Sequence, residues 1–236
     1  MECHAMNYRA PIQHFGSRTV ERLTRARKIR TLRRSRGLLV DVGGSGLEGW
    51  VTMDINPSRH DVYLDAGRAW PLPDGCARAI RAEHMIEHLG WDRAGVCVRE
   101  MFRVLEPGGL CRICTPDLEW MARAVLERDP AVLEGHRQHN YSAPTFAHIP
   151  NNYFRMWGHR FVFDFDALAY LLEDSGFIEI ERTSFNTSRH DLLHGTDSHD
   201  PSPLDGSTLC VDAVKPQHWS SAPRSGATTA GNSASA

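Results

Sequence analysis

Lysine is nearly missing from this chain of 236 residues, which holds only Lys28 and Lys215. Arginine supplies almost all of the 27 basic residues, against 29 acids, for a formal net charge of -2. That balance argues against a general nucleic-acid or membrane binder, which needs a strongly basic surface. No apolar run approaches the roughly 20 residues that a membrane helix requires. The opening Met1-Glu2-Cys3-His4-Ala5-Met6-Asn7-Tyr8-Arg9 lacks the apolar core of a secretory leader. Six scattered cysteines make no disulfide framework in a chain of this length, so a reducing cytoplasm is the expected compartment.

What is present suits one globular domain, with 41% hydrophobic and 24% charged residues. Residues 17–35 read as a helix with Val20, Leu23, Ala26, Ile29 and Leu32 on one stripe and a strongly basic remainder. It makes residues 1–36 an N-terminal basic helix or lid, its charged face either solvated or a rim that attracts anions. Strands are expected at 38–42, 50–54, 61–64, 78–82 and 110–114. Val98, Met101, Phe102 and Leu105 recur at helical spacing, giving a buried helix face between the last two.

Further on, Thr115-Pro116-Asp117 has the composition of a helix start, with threonine as cap and proline in the first position. Residues 129–160 are rich in His, Asn, Tyr and Trp, within an insertion spanning about 115–160. Asp164 or Asp166 caps a helix through Leu168, Leu171 and Leu172 that Gly176 stops. Residues 177–185 and 207–213 read as the last two strands. The tail, 216–236, has too little apolar content to pack and is expected to be disordered. Strands alternating with helices predict an α/β fold, a mostly parallel sheet covered on both faces.

Three segments carry chemistry. Leu38-Leu39-Val40-Asp41-Val42 runs into Gly43-Gly44-Ser45-Gly46, a turn whose backbone can approach a ligand closely. Trp50-Val51-Thr52-Met53-Asp54 ends on a carboxylate placed to accept hydrogen bonds from both hydroxyls of a ribose. A later helix ends in Arg103-Val104-Leu105-Glu106-Pro107-Gly108-Gly109. The G-x-G-x-x-G of dinucleotide-binding sheets is absent, and only 13 residues separate Asp41 from Asp54, short for a full helix between two strands.

Together with Asp65-Ala66-Gly67, Trp70-Pro71-Leu72-Pro73-Asp74-Gly75 and Glu83-His84-Met85-Ile86-Glu87-His88-Leu89, these segments resemble the class I methyltransferases that use S-adenosylmethionine (SAM), in particular the type-11 group. The resemblance is strong over 37–120 and loose over 158–213. It implies a Rossmann-like fold of seven strands with an antiparallel last strand, and a SAM-binding domain at 37–215. It implies a cofactor near Asp41, Gly43, Gly44, Ser45 and Gly46, ribose at Asp54, adenine near Asp65 and Ala66, and the methionine end near Ala82 and Glu83, with Ile55 among the cofactor-binding residues. Ser45 stands where the family usually has a glycine, Arg78 where strand four usually opens on aspartate, and Glu106 where lysine is common.

Methyl transfer from SAM needs alignment of the acceptor and, for a hydroxyl or protonated amine, removal of a proton. His159 and His84 are the candidate bases, with Asp117 to orient His159 or contact the acceptor. No Asn/Asp-Pro-Pro-Tyr and no Pro-Cys follows strand four, which disfavours nucleobase methylation. The aromatic, histidine-rich segment at 129–160 and the modest size of the chain favour as acceptor an O or N atom of a small molecule, a sugar or specialised metabolite. One alternative is a SAM-binding, non-catalytic partner subunit; another is an oxidoreductase with a Rossmann sheet. A zinc hydrolase using His84-Met85-Ile86-Glu87-His88 is weaker still, and no metal is expected. Cys111 and Cys114 lie on one strand three residues apart and should face opposite ways. The loop carrying His190, Asp191, His194, Asp197, His199 and Asp200 reads as solvated polar chain.

Overall fold

The computed structural model describes residues 27–44, 46–56, 61–138, 143–198 and 206–218. Seven strands form one sheet: β1 (Leu38–Val42), β2 (Val51–Asp54), β3 (Val62–Tyr63), β4 (Ala77–Glu83), β5 (Leu105–Pro116), β6 (Ile178–Thr183) and β7 (Thr208–Val214). Their order is β3-β2-β1-β4-β5-β7-β6. Neighbours from β3 to β5 are parallel, whereas β7 lies antiparallel between β5 and β6. This is the expected Rossmann-like arrangement. The chain winds outward from β1 to β3 and then returns to lay β4 against β1. Such a reversal opens a crevice at the carboxyl ends of the strands.

Burial follows from the composition of the strands. In β4, Ala77, Ala79, Ile80 and Ala82 are buried, as befits a central strand covered on both faces. Helix α1 (Trp91–Val104) buries Ala94, Cys97, Val98, Met101 and Phe102. Three helices, α2 (Leu118–Glu127), α3 (Pro130–Gln138) and α4 (His148–Arg155), fill the segment between β5 and α5 (Phe165–Ser175). Trp120, Met121, Ala124, Ile149, Tyr153 and Val162 form a small second core there, apart from the main one beneath the sheet. Asp164 caps α5, its Oδ1 accepting the Ala167 amide at 2.8 Å, and Gly176 ends it with φ of 104°.

Two boundaries differ from the sequence reading. Leu105 matches the helical period, yet α1 stops at Val104 and Leu105 opens β5, fully buried. Pro107 explains the break, because it biases the residue before it toward extended backbone. Leu105 pairs with Ala77 and Leu110 with Ala79, so Glu106-Pro107-Gly108-Gly109 bulges from the strand rather than preceding it. Lys215 closes this corner. Its Nζ donates to the carbonyls of Phe102 (2.7 Å) and Leu105 (2.6 Å) at the end of α1. Thr115 and Pro116 finish β5 instead of starting a helix, and the α2 cap is Asp117, whose Oδ1 accepts the Glu119 amide at 2.9 Å.

The β1–β2 connection, 43–50, holds no helix among its described residues, as the short spacing implied. Of the N-terminal helix, residues 27–32 are helical and place Ile29 and Leu32 against the main core. The earlier part of that helix, Ser45 and most of the tail lie outside the described residues. Among those described, no helix is long and apolar enough to cross a membrane.

Candidate active site

The glycine turn is built on Asp41. This carboxylate is fully buried at the end of β1, where its Oδ2 accepts the Gly46 amide at 3.4 Å and its Oδ1 meets the Arg81 guanidinium at 3.2 Å. Burial pushes the Asp41 carboxyl above its ordinary range, with the Arg81 charge opposing. A Cβ at Gly44 would overlap that carboxylate, and one at Gly43 would lie 2.5 Å from Met85 Cγ. Gly43 also has φ of 70°, and its amide donates to the Met53 carbonyl at 2.8 Å. The turn therefore has room only for backbone at both positions, and Asp41 acts beneath it as a brace.

Beside the turn, β2 delivers Asp54, whose Oδ1 accepts the Asn56 amide at 2.8 Å. Ile55 follows with 59% of its surface exposed. The Leu64 amide donates to the Asp54 carbonyl at 2.9 Å, which sets Asp65 and buried Ala66 next along the same edge. Asp65 accepts the Gly67 amide at 3.3 Å and pairs with Arg68 and Arg93. On the other side of β1, Ala82 is buried and Glu83 pairs with Arg81. Ser198 covers Glu83, donating its Oγ at 2.6 Å and its amide at 2.9 Å. Ser198 and Arg81 entered no sequence-level argument; an arginine inside Ala79-Ile80-Arg81-Ala82 was the available signal.

The chain then turns sharply. His84 takes φ of 47°, a costly conformation for a non-glycine residue, and its amide donates to the Cys114 carbonyl at 2.8 Å. Residues 86–88 form one 3₁₀ turn rather than an α-helix, so His84 and His88 do not share the helical face on which a zinc-peptidase pair depends. Glu87 instead lies buried at the centre. Its Oε2 accepts from Thr115 Oγ1 at 3.2 Å, and its carbonyl accepts the amides of Arg160 (2.8 Å) and Phe161 (3.2 Å). His84 Nδ1 stands 3.4 Å and His159 Nε2 3.9 Å from the other carboxylate oxygen, Oε1. The His88 and His159 rings meet edge to face, centroids 4.9 Å apart.

Both predicted bases thus reach one buried acid, Glu87, to which the sequence alone assigned no role in methyl transfer. Burial disfavours the Glu87 anion, yet His84 and His88 hold its pKa below the ordinary value. Burial pushes the His159 pKa down, against the pull of Glu87. The backbone carbonyl of Tyr153, 2.7 Å from His159 Nδ1, orients this ring. Asp117 does not: its oxygens are taken by the α2 cap and by an ion pair with Arg182. It lines a neighbouring cleft of about 360 Å³ with Arg123, Arg182 and Thr208.

A second polar network lies deeper. Arg112 of β5, fully buried, bonds Asp197 at 2.6 and 2.8 Å and Asp212 at 2.7 Å. It thereby fastens the β6–β7 loop to the sheet, and Asp197 is a structural ion-pair partner rather than part of a solvated chain. Cys111 contacts Met101 whereas Cys114 faces Asp197, on opposite sides of β5 as expected.

Sheet order and glycine turn together define a Rossmann-like α/β fold with its open edge at the carboxyl ends of the parallel strands. Residues 51–113, about a quarter of the chain, match the family model described as "Methyltransferase domain". No match was found among curated protein sequences. Among solved structures, the chain resembles a SAM-dependent methyltransferase from Archaeoglobus fulgidus (17% identity, 84% of this chain and 94% of that one, TM-score 0.48). It also resembles a possible histamine N-methyltransferase from Thermotoga maritima (17%, 84% and 95%, 0.47). A third likeness is to a methyltransferase of Haloferax volcanii solved with its Trm112 activator (14%, 87% and 93%, 0.46). No substrate follows from likeness at this level.

Proposed function

We propose that the chain binds SAM along the carboxyl edge of β3-β2-β1-β4 and transfers its methyl group to an O or N atom of a small-molecule acceptor. The observation that carries the reading is the alignment of Asp65, Asp54, the Gly43–Gly46 turn and Ala82 on that one edge. Bound SAM supplies an electrophilic methyl group. Asp54 offers a carboxylate to the ribose hydroxyls, exposed Ile55 and buried Ala66 offer apolar surface to the adenine, and the glycine turn admits the chain of the methionine. Asp41 and Glu83, both held by Arg81, support this edge from below.

On the acceptor side, His159 keeps its Nε2 as the basic nitrogen because Nδ1 donates to the Tyr153 carbonyl. Burial keeps the ring neutral and so able to take a proton. Met85, packed against Gly43, joins this side to the glycine turn.

The test is a calorimetric titration with S-adenosylhomocysteine, followed by an acceptor screen with labelled SAM. Asp54→Ala should weaken binding tenfold or more, since each hydrogen bond to a charged partner is worth about 1.5–3 kcal/mol. Unaltered affinity in this variant would remove the ribose assignment. Binding with no methylated product across the screen would favour the non-catalytic reading.

A further inference from the structure

We propose that Glu87, His88 and His159 form a site for a divalent first-row transition-metal ion. One donor atom from each lies within 4.8 Å of the other two. The combination of two imidazoles and one carboxylate suits zinc, manganese, iron or cobalt and leaves positions open for oxygen ligands. Donors around such an ion, with bonds near 2.1 Å, stand about 3–3.5 Å apart. His159 Nε2 and Glu87 Oε1 are already 3.9 Å apart.

Two features point to a cation rather than to a chance meeting of polar groups. The first is Glu87 Oε1, a buried carboxylate oxygen without a hydrogen-bond partner among the described residues. A carboxylate is almost never buried in this way without compensation. Its nearest basic neighbour is His84 Nδ1, an ion-pair contact at 3.4 Å. The second is the tautomer of His159. The Tyr153 carbonyl at 2.7 Å fixes the proton on Nδ1, so the Nε2 lone pair faces the Oε1 lone pairs. Two acceptors turned toward each other repel unless a positive charge lies between them. A backbone carbonyl on the far nitrogen is also the usual support for a metal-binding histidine.

The backbone holds the three donors rigidly. The 3₁₀ turn fixes Glu87 and His88, and the Arg160 and Phe161 amides tie the His159 segment to the Glu87 carbonyl. His88 is half-buried, which leaves an approach from solvent, whereas the side chains of His159 (6% exposed) and Glu87 are sealed. His84, beside the same oxygen, stands at the rim. Neither the motif His84-Met85-Ile86-Glu87-His88 nor its zinc-peptidase geometry predicts this set, because its third member comes from 71 residues beyond His88. An ion here would occupy the His159 Nε2 lone pair, so in the metal-loaded chain it would hold and acidify an oxygen of the acceptor next to the glycine turn in place of direct proton removal by His159. That role, though not the site itself, rests on the proposed methyl transfer.

The full chain, stripped with EDTA and without SAM, should be titrated with Zn2+, Mn2+ and Co2+ by calorimetry, with thermal melts in parallel. One saturable equivalent per chain is expected for at least one of these ions, with a rise in Tm as binding to the folded state demands. His88→Ala and His159→Ala should each weaken it at least tenfold, while His218→Ala, an exposed histidine elsewhere, should leave it unchanged. Bound Co2+ should give the visible absorption of a nitrogen- and oxygen-ligated ion, lost in His88→Ala. Glu87→Gln is informative only if it folds, so the two histidine variants decide. Absence of saturable binding by all three ions, or binding unaltered in both histidine variants, would overturn the site. Titration with S-adenosylhomocysteine under metal-free conditions is read separately, so failure of the metal site and failure of the methyl-donor site remain distinct.

Discussion

At the scale of single residues, the turn after β1 shows how little freedom the site has. Gly43 combines φ of 70° with the Met85 side chain lying where a Cβ would go. Gly43→Ala should therefore lose stability from two causes, about 1–2 kcal/mol for the left-handed backbone and about 1–3 kcal/mol for overpacking. Pairing it with Met85→Ala removes only the second cause. Urea denaturation of both single variants and the double variant measures the coupling. Strict additivity would show that Met85 does not press on the turn. Lys215 gives a second case: Lys215→Met keeps the apolar stem but leaves the Phe102 and Leu105 carbonyls without their donor. A loss of about 1.5–3 kcal/mol is expected, and a change below 0.5 kcal/mol in the same assay would exclude the helix-closing role.

Between elements, the decisive contacts are long-range. Arg112 reaches Asp197 across 85 residues of sequence and Asp212 across 100. Removing one partner of a buried ion pair costs about 3–5 kcal/mol, because the other charges stay buried. Arg112→Met should accordingly destabilise the fold by that amount and free the 184–198 loop, including the Ser198 contact on Glu83. Hydrogen exchange would show lost protection at the Asn186 and Ser198 amides, which bond Asp197 and Glu83. Retained protection there would mean that the loop is anchored by other contacts. These contacts also mark where sequence reading reaches its end. Apolar runs announced β1, β4 and β7, and Asp164 with Gly176 announced α5, because each signal is local. Leu105 misled because a buried leucine satisfies a helix face and a strand equally, and only Pro107 separates the two. Thr115-Pro116 fits a helix start and a strand end alike. Asp54 and the glycines were legible from their place at strand ends. The meeting of Glu87, His88 and His159 was not, since no periodicity links a turn after β4 to the segment before α5.

For the molecule as a whole, the buried acids set the response to pH. Asp197 is buried, which alone would raise its pKa, but Arg112 and the Asn186 amide hold it below 3.8. Glu100 is partly buried and held below 4.5 by Arg103 and the Trp70 amide. For both, the unfolded chain binds the proton first, so their stabilisation is complete above the unfolded pKa values and is lost as pH falls through the folded ones. Asp41 has the opposite sign. Its pKa is raised above 3.8 by burial, so the folded state binds its proton first and stability declines as pH rises through that window. Glu87, held below its ordinary value by His84 and His88, acts in the same sense as Asp197 and Glu100, so three acids against one leave a loss of stability in acid, with the steepest part below about pH 4.5. Unfolding free energies between pH 3 and 7, measured in EDTA so that no ion contributes, should therefore rise with pH. Asp197→Asn should be less stable near neutrality yet flatter in acid, since it removes one carboxylate that must be protonated. Asp41→Asn should steepen the acid slope by removing the opposing term. If the Asp197→Asn curve runs parallel to that of the unaltered protein from pH 3 to 7, the Arg112 network does not govern acid unfolding, and the coupling lies with Glu87 and its histidines or with Glu100 and Arg103.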